Sequence, residues 1–373
     1  MTKSAISRRH FAQLIGTGIA ASIVRPGISL GKQPAAVPTG NPSNLVRLSA
    51  NENPYGPSPR ALKAMTENFG LASRYPDERA DALVAGLARL NGVALDQILI
   101  GDGSGEILKL CAEVFTGPEQ GRLVAADPTF EAILKHAAVN GAEVQKVPLT
   151  NSYAHDLARM RASASKGLIY ICNPNNPTAS ITPKNELREF IASSPADTVI
   201  LVDEAYFHFA DSSEYDSVIP LVNDHPNLIV ARTFSKIYGM AGLRCGYCVA
   251  QKATIERMRN HQPWDSVNCM ALAAAVASLG DNDQVTNGRR LNKEAKTFVT
   301  TELNNHGYAS IPSEANFIMF DCKQPVVPLI QALKQRNVEV GRLFPSMPNH
   351  MRLTIGKKSE METFLSAFRE VAA

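Results

Sequence analysis

A lysine stands in a short polar turn between two apolar segments near the middle of the chain. Residues 228–231 and 245–250 are predicted to be buried strands, and Lys236 lies between them beside hydroxyl and glycine residues. Burial of an ammonium group is costly unless the group is used, so this position does not suit an ordinary solvating charge. Desolvation frees such an amine as a nucleophile, which makes Lys236 a candidate for Schiff-base formation. The alternative, which this segment alone leaves open, is a lysine at the mouth of an ordinary loop.

Two further features could hold a phosphate. Ser235 and Arg244 flank the lysine, and the arginine offers a charged fork that suits an anion. Earlier in the chain, a predicted strand at 98–100 runs into a glycine turn at 101–105 and the start of a helix. Free N–H groups and the positive end of the helix dipole make such a turn an anion site. Taken alone, the turn fits a dinucleotide-binding loop equally well, with Asp127 as the ribose-binding acid.

Two other strand-like runs end in polar residues. Residues 168–172 lead into a proline-fixed turn that contains Asn176, and residues 199–202 lead into Asp203 with a tyrosine close behind. An asparagine, then an aspartate with a tyrosine, then a lysine at successive strand ends resembles the fold-type I pyridoxal-phosphate enzymes. Within that fold type, the segments are most similar to the class I/II aminotransferases of the histidinol-phosphate aminotransferase group. The resemblance covers residues 45–373 and decides against the dinucleotide interpretation.

The resemblance implies a role for each of these residues. Lys236 would carry pyridoxal 5'-phosphate as a Schiff base and move a proton, and Asp203 would pair with the ring nitrogen. Asn176 and Tyr206 would hydrogen-bond the ring oxygen. Tyr75 would cross a homodimer interface to the neighbouring cofactor phosphate, the alternative being a tyrosine in a surface turn. The predicted catalytic and cofactor-binding residues are Lys236, Asp203, Tyr206, Ser104, Gly105, Phe130, Asn176, Thr233, Ser235, Arg244 and Tyr75.

Substrate-binding residues are predicted near both ends of the region that resembles the family. Arg352 matches the arginine that grips a carboxylate or phosphate in related transaminases, and a bidentate fork suits either anion. Arg342 stands in a second such position, or is an ordinary surface arginine. Asn51 and Asn316 are lesser substrate-side candidates.

Two positions depart from the group's usual pattern. Gly105 stands where an aspartate is usual, which keeps the backbone donors of the turn but would loosen contacts around the cofactor. Phe130 stands where a tyrosine is usual, so an aromatic ring against the cofactor would lack a phenolic hydrogen bond.

Strands and helices alternate to about residue 250, the pattern of a mostly parallel sheet. A helical run at 269–306, followed by shorter strands and helices, predicts a separate, smaller unit. With the resemblance, this predicts an α/β fold: a three-layer, mostly parallel sheet as the large domain of fold type I, and a smaller α+β C-terminal domain. We assign a twin-arginine signal and linker, an N-terminal arm, a large cofactor-binding domain and a small domain to residues 1–36, 37–60, 61–262 and 263–373.

The N-terminal segment is predicted to be an export signal. Arg8 and Arg9 precede a modestly apolar run at 14–24, shorter than the ~20 apolar residues of a membrane-spanning helix. Twin arginines before a weakly hydrophobic run match a twin-arginine signal, so we expect the export machinery as a partner and a periplasmic location. A frayed basic N-terminus is the alternative. Processing is expected between Ser29 and Val37.

The same segment accounts for the net positive charge. Residues 1–32 contain five basic residues and no acidic one, so the formal charge of +3 becomes −2 without them. No basic patch then predicts nucleic-acid binding. The six cysteines stand mostly in apolar runs, which favours core thiols over disulfides, and Cys245 and Cys248 have no second pair with which to bind a metal.

The sequence therefore predicts an aminotransferase that moves an amino group between an amino acid, or an amino-phosphate compound, and a 2-oxo acid. A pyridoxal-phosphate decarboxylase of a phosphorylated amino acid is the alternative, because fold and cofactor do not settle reaction type. A non-catalytic binding protein would require loss of Asp203 or Lys236, and both are present. Histidinol phosphate is a cytoplasmic metabolite, so an exported enzyme is expected to use another donor, whose identity the sequence leaves open.

Overall fold

Strands and helices occur throughout residues 44–164 and 166–372, the part of the chain that the computed structural model describes. The predicted export signal lies outside the described residues. The strands are β1 (Val46–Arg47), β2 (Ile98–Gly101), β3 (Arg122–Asp127), β4 (Val144–Pro148), β5 (Gly167–Cys172), β6 (Thr198–Asp203), β7 (Leu228–Thr233), β8 (Gly246–Ala250), β9 (Phe317–Asp321), β10 (Val338–Glu339) and β11 (His350–Thr354). The α-helices are α1 (Pro59–Asn68), α2 (Asp77–Asn91), α3 (Gly103–Phe115), α4 (Ala132–Val139), α5 (Leu157–Ser163), α6 (Lys184–Ala192), α7 (Lys252–Arg259), α8 (Cys269–Leu279), α9 (Asn282–Asn305), α10 (Val326–Gln335) and α11 (Lys358–Ala372).

Seven of the described strands form one central sheet in the order β2-β8-β7-β6-β5-β3-β4. Pairing is parallel from β7 to β4, and β8 runs antiparallel to both of its neighbours, β2 and β7. The carboxyl ends of all these strands except β8 therefore meet at one edge, where open α/β sheets bind their ligands. The predicted mostly parallel α/β sheet is confirmed.

The middle strands of this sheet are buried on both faces. In β5, Ile169 and Ile171 belong to one apolar core, whereas Leu168 and Tyr170 belong to another, because successive side chains point to opposite faces. Parallel strands between two helix layers show this continuous burial. The sheet and its two covering layers make the three-layer arrangement that the sequence predicts.

The C-terminal part of the chain has a core of its own. β9 pairs antiparallel with β11, and the short β1 pairs in parallel with β10. Phe320, Phe364 and Phe368 pack there, with Phe320 edge-on to the other two rings at 6.3 and 5.4 Å. The predicted domain boundaries at residues 60 and 262 stay predictions.

One predicted element differs in detail. The sequence predicts a single helical run over 269–306, whereas the structure has two helices, α8 and α9. Gly280 ends α8, and the Asp281 side chain caps α9 by accepting a hydrogen bond from the Gln284 N–H at 3.2 Å. A carboxylate cap competes with helix continuation, which explains the break.

Within the part of the chain that the structure describes, no helix combines the length and the hydropathy of a membrane-spanning segment. All six cysteines are free thiols, five of them buried and Cys269 partly exposed, so the prediction of core thiols is largely confirmed.

Candidate active site

A cavity of about 370 Å³ opens at the carboxyl edge of the central sheet. Its walls come from the segments that follow β1, β2, β3, β5, β6, β7 and β10, together with β11. Thirteen of the fifteen residues predicted for the site line it: Asn51, Ser104, Gly105, Phe130, Asn176, Asp203, Tyr206, Thr233, Ser235, Lys236, Arg244, Arg342 and Arg352.

Lys236 enters this cavity from the turn after β7. Its Nζ donates to the carbonyl oxygens of Asn51 at 3.0 Å and Ala50 at 3.3 Å, and lies 5.6 Å from the centre of the Tyr206 ring. Burial, followed by the positive charge of Arg352, lowers the pKa of Lys236 to about 8. A large share of the amine is therefore uncharged near pH 8, which is the state that a nucleophile or a base requires.

Asp203 ends β6 with its side chain almost fully buried. Its Oδ2 accepts a hydrogen bond from the Tyr170 hydroxyl at 2.9 Å, and its Oδ1 accepts one from the Ala205 N–H at 3.1 Å. Both donors are neutral, and burial raises the pKa of Asp203 to about 6. A cationic nitrogen placed against this carboxylate would gain a strong partner in a poorly solvated site.

Tyr206 is held by two side-chain amides. Its hydroxyl oxygen accepts hydrogen bonds from Asn51 Nδ2 at 3.0 Å and Asn176 Nδ2 at 3.3 Å. Burial raises the pKa of Tyr206, so the phenol stays neutral and keeps a proton that it can donate. Asn51 itself has a φ of 54° and is fixed by its N–H, which donates to Thr354 Oγ1 at 2.9 Å.

The first turn of α3 and Arg244 form another part of the wall. Gly103 has a φ of 71°, and a Cβ at this position would lie 2.1 Å from Arg244 Nη2. The glycine therefore leaves the space that the guanidinium occupies. Arg244 donates to the carbonyl oxygens of Asp102 and Ala241, at 3.1 Å in both cases. Ser104 and Gly105 follow at the start of the helix, where backbone N–H groups favour an anion.

Two hydroxyls lie beside the lysine. The Thr233 hydroxyl donates to Ser235 Oγ at 3.0 Å and accepts from the Ser235 N–H at 3.1 Å. Both residues are buried and line the cavity, so the Ser235 hydroxyl is fixed at the cavity wall.

Two arginines occupy the C-terminal side of the cavity. Arg352 donates from Nη1 to Asn176 Oδ1 at 2.7 Å and from Nη2 to the Ser49 carbonyl at 2.5 Å. Its Nε is buried and has no hydrogen-bond partner among the described residues. Arg342 is exposed and pairs with Glu131 at 2.7 Å.

Two predicted residues lie elsewhere. Asn316 is buried behind the wall and donates to the carbonyl oxygens of Asn51 at 3.1 Å and Glu52 at 3.4 Å, so it braces the segment that Lys236 contacts. Tyr75 is 84% exposed on the surface of the chain, and its contact with a second subunit stays a prediction.

The lining fits pyridoxal phosphate. The amine of lowered pKa and the buried carboxylate supply the two groups that this cofactor needs at its aldehyde carbon and its ring nitrogen. The start of α3, with the space at Gly103 and the Arg244 guanidinium, suits a phosphate. The fold and these groups together define a pyridoxal-phosphate-dependent enzyme of fold type I.

Comparisons with known proteins narrow this class. The chain belongs to the aminotransferase class I and II family, whose model matches residues 43–368. A histidinol-phosphate aminotransferase from Symbiobacterium thermophilum is 39% identical over 329 residues, which cover 87% of this chain and 90% of the relative. The crystal structure of histidinol-phosphate aminotransferase from Sinorhizobium meliloti in complex with pyridoxal-5'-phosphate is 27% identical, with a TM-score of 0.82 over 87% of this chain and 90% of that chain.

The predicted aminotransferase function and its cofactor are confirmed by this membership. An L-threonine-O-3-phosphate decarboxylase from Porphyromonas gingivalis also matches, at 24% identity and a TM-score of 0.76 over 87% of this chain and 99% of that chain. At this level of identity, the similarity shows a shared fold and does not indicate a shared reaction.

Several contacts in the site involve residues that the sequence does not single out. Tyr170 holds Asp203, Glu131 pairs with Arg342, and the Ala50 carbonyl accepts from Lys236. Of these three, only Tyr170 could have been found from the sequence, because a buried tyrosine inside an apolar strand needs a hydrogen-bond partner for its hydroxyl.

Proposed function

We propose that the enzyme is an exported aminotransferase that takes the amino group of a donor with at least one anionic group and passes it to a 2-oxo acid. The observation that carries the proposal is the Lys236 amine, which shares one cavity with the Asp203 carboxylate and the Arg352 guanidinium. When bound, pyridoxal phosphate supplies an aldehyde carbon and an electron-withdrawing ring.

Lys236 would hold the cofactor covalently and then move a proton to and from the donor carbon. A pKa lowered to about 8 suits both tasks near neutral pH. Asp203 would keep the ring nitrogen protonated, and Tyr206 would donate its proton to the ring oxygen. The amides of Asn51 and Asn176 support this arrangement because both already bind the Tyr206 hydroxyl.

The phosphate would be bound by the first turn of α3, the Ser235 hydroxyl and Arg244. Tyr75 of a second subunit would complete this site in a homodimer. Its side chain is 84% exposed, so it is accessible to a second subunit.

Arg352 would hold the anionic group of the donor. Its guanidinium meets only neutral oxygens and its Nε has no partner among the described residues, so a carboxylate would supply the charge and the acceptor that it lacks. Asn316 would act through the Asn51 backbone rather than by touching the donor.

We further propose that the segment around Arg8 and Arg9 directs the folded enzyme through the twin-arginine machinery to the periplasm. The sequence of these residues supports this, since they precede a run too short to span a membrane. Histidinol phosphate would then be a poor candidate for the natural donor, because it is a cytoplasmic metabolite.

Borohydride reduction of the purified enzyme, followed by peptide mapping, tests the central assignment. We expect the cofactor label on Lys236. Lys296 is the matched control, because burial also lowers the pKa of Lys296, but its Nζ donates to the Ser313 and Ala315 carbonyls outside the cavity. A label on Lys296 or any other lysine would overturn the assignment.

A donor panel with 2-oxoglutarate identifies the reaction. Transfer turns the donor into its keto acid and 2-oxoglutarate into glutamate, and the donor alone leaves the cofactor in its amine form; these outcomes support the proposal. Carbon dioxide released from a phosphorylated amino acid, without transfer, would instead establish the decarboxylase.

A further inference from the structure

An ion pair at the cavity joins two segments that are 211 positions apart in the chain. Arg342 Nη2 lies 2.7 Å from Glu131 Oε2, and the Arg342 guanidinium lies 4.4 Å from the centre of the Phe344 ring. The Arg352 guanidinium lies 5.4 Å from the centre of the same ring. Phe130, the neighbour of Glu131, lines the cavity together with both arginines. The pair therefore lies beside the site that we assign to the donor.

The two arginines differ in what balances their charge. Arg352 donates to the neutral oxygens of Asn176 and Ser49, and its Nε has no partner among the described residues. Arg342 already has a carboxylate, that of Glu131. The first anionic group of a donor can therefore bind Arg352 without displacing a carboxylate. A second anionic group must compete with Glu131 for Arg342.

We propose that Glu131 decides which donors the enzyme accepts, by competing with a second anionic group of the donor for Arg342. The inference rests on the proposed function and adds the class of donor to it. A donor with one anionic group would bind at Arg352 and leave the Arg342–Glu131 pair intact. A donor with two, such as a dicarboxylic or a phosphorylated amino acid, would displace Glu131 and engage both arginines.

The exposure of the pair makes this exchange possible. The side chains of Arg342 and Glu131 are 53% and 32% exposed. An ion pair this accessible shifts an equilibrium by no more than about fivefold, because water screens both charges. An incoming carboxylate or phosphate brings the same charge as Glu131 and can bind the guanidinium fork through two oxygens. The balance between the two anions is therefore sensitive to the charge at position 131.

The test measures binding of non-reacting probes to the holoenzyme by calorimetric titration. A series of dicarboxylates from succinate to adipate carries two anionic groups, and butyrate carries one. Glu131→Gln should tighten the best dicarboxylate about two- to fivefold and leave butyrate unchanged, because only the competitor for Arg342 is lost. Arg342→Ala should weaken that dicarboxylate about tenfold, and Glu131→Gln should have no further effect in that background.

Asp127→Asn is the matched control. This carboxylate ends β3, but its neighbours are Ser346 at 3.3 Å and Lys146 at 3.9 Å rather than Arg342. Its charge acts on every anionic group of a probe only at long range, so the factor for the dicarboxylate should be about the square of the factor for butyrate, and it should persist in the Arg342→Ala background.

Equal tightening of butyrate and the dicarboxylates by Glu131→Gln would overturn the proposal, and so would an effect that persists in the Arg342→Ala background. These results are separable from failure of the proposed function. Cofactor on Lys236 and amino transfer from alanine establish that function independently, and with both intact, unchanged probe preferences refute only the role of Glu131.

Discussion

Replacement of Asp203 by asparagine should stabilise the cofactor-free protein at pH 8 while weakening its hold on the cofactor. The Asp203 side chain is 2% exposed, and burial raises its pKa to about 6 from the ordinary value of 3.8. Because the folded-state pKa is the higher one, protonation of Asp203 favours the folded state. That stabilisation is complete below about pH 3.8 and is lost as the pH rises through about 6.

The magnitude follows from the same two values. Their difference corresponds to ~3 kcal/mol at pH 8, since one pKa unit is ~1.4 kcal/mol. Asparagine removes this cost, but the Tyr170 hydroxyl, which donates to Oδ2, must then accept from the amide, a loss of ~1 kcal/mol. The expected net gain is ~2 kcal/mol at pH 8 and below ~1 kcal/mol at pH 5, where the wild-type carboxyl is largely protonated.

Urea unfolding of the cofactor-free proteins at pH 8 and pH 5, followed by circular dichroism, measures this gain. Asp127→Asn is the control, because its side chain is 37% exposed and the change should stay within ~0.5 kcal/mol at both pH values. Equilibrium dialysis should show weaker cofactor retention in Asp203→Asn alone, since the ring nitrogen loses its carboxylate. A variant less stable than wild type at pH 8, or a gain of equal size at both pH values, would refute the reasoning.

Tyr75→Phe should weaken cofactor retention about tenfold in dialysis through loss of one hydrogen bond to the phosphate, with no change in unfolding of the cofactor-free protein because Tyr75 is 84% exposed. A fully active monomer in sedimentation would contradict the dimer on which this depends. Gly103→Ala should also reduce cofactor affinity in dialysis, because its Cβ would lie 2.1 Å from Arg244 Nη2 and force the guanidinium away; unchanged affinity would mean that Arg244 does not bind the phosphate. Arg8→Lys combined with Arg9→Lys should leave active enzyme in the cytoplasm on cell fractionation, and wild-type protein found there with its N-terminus intact would contradict an export signal.

Most of the fold and of the cavity could be predicted because both depend on the types and order of residues that are close together in the sequence. Apolar runs that end in polar residues mark the carboxyl edge of a parallel sheet, and that edge is where Asn176, Asp203 and Lys236 come together. The glycine turn before α3 was recognisable for the same reason, since only small residues allow the backbone and Arg244 to approach so closely. The types and spacing of the residues in the sequence are therefore enough to identify the groups at this sheet edge.

The partners of those groups were not predictable in this way. Tyr170 faces Asp203 because β5 and β6 lie side by side. Glu131 meets Arg342 because the segment between β10 and β11 lines the same cavity as the residues that follow β3. Asn316, a lesser candidate for the donor side, donates to the backbone carbonyl of Asn51, and the sequence does not indicate this contact. Hydrogen bonds and ion pairs depend on distances of a few ångströms between atoms, and packing sets those distances for segments up to several hundred positions apart. Residue pattern therefore established which groups this chain brings to the sheet edge, whereas three-dimensional packing decided what each group touches and how its pKa is tuned.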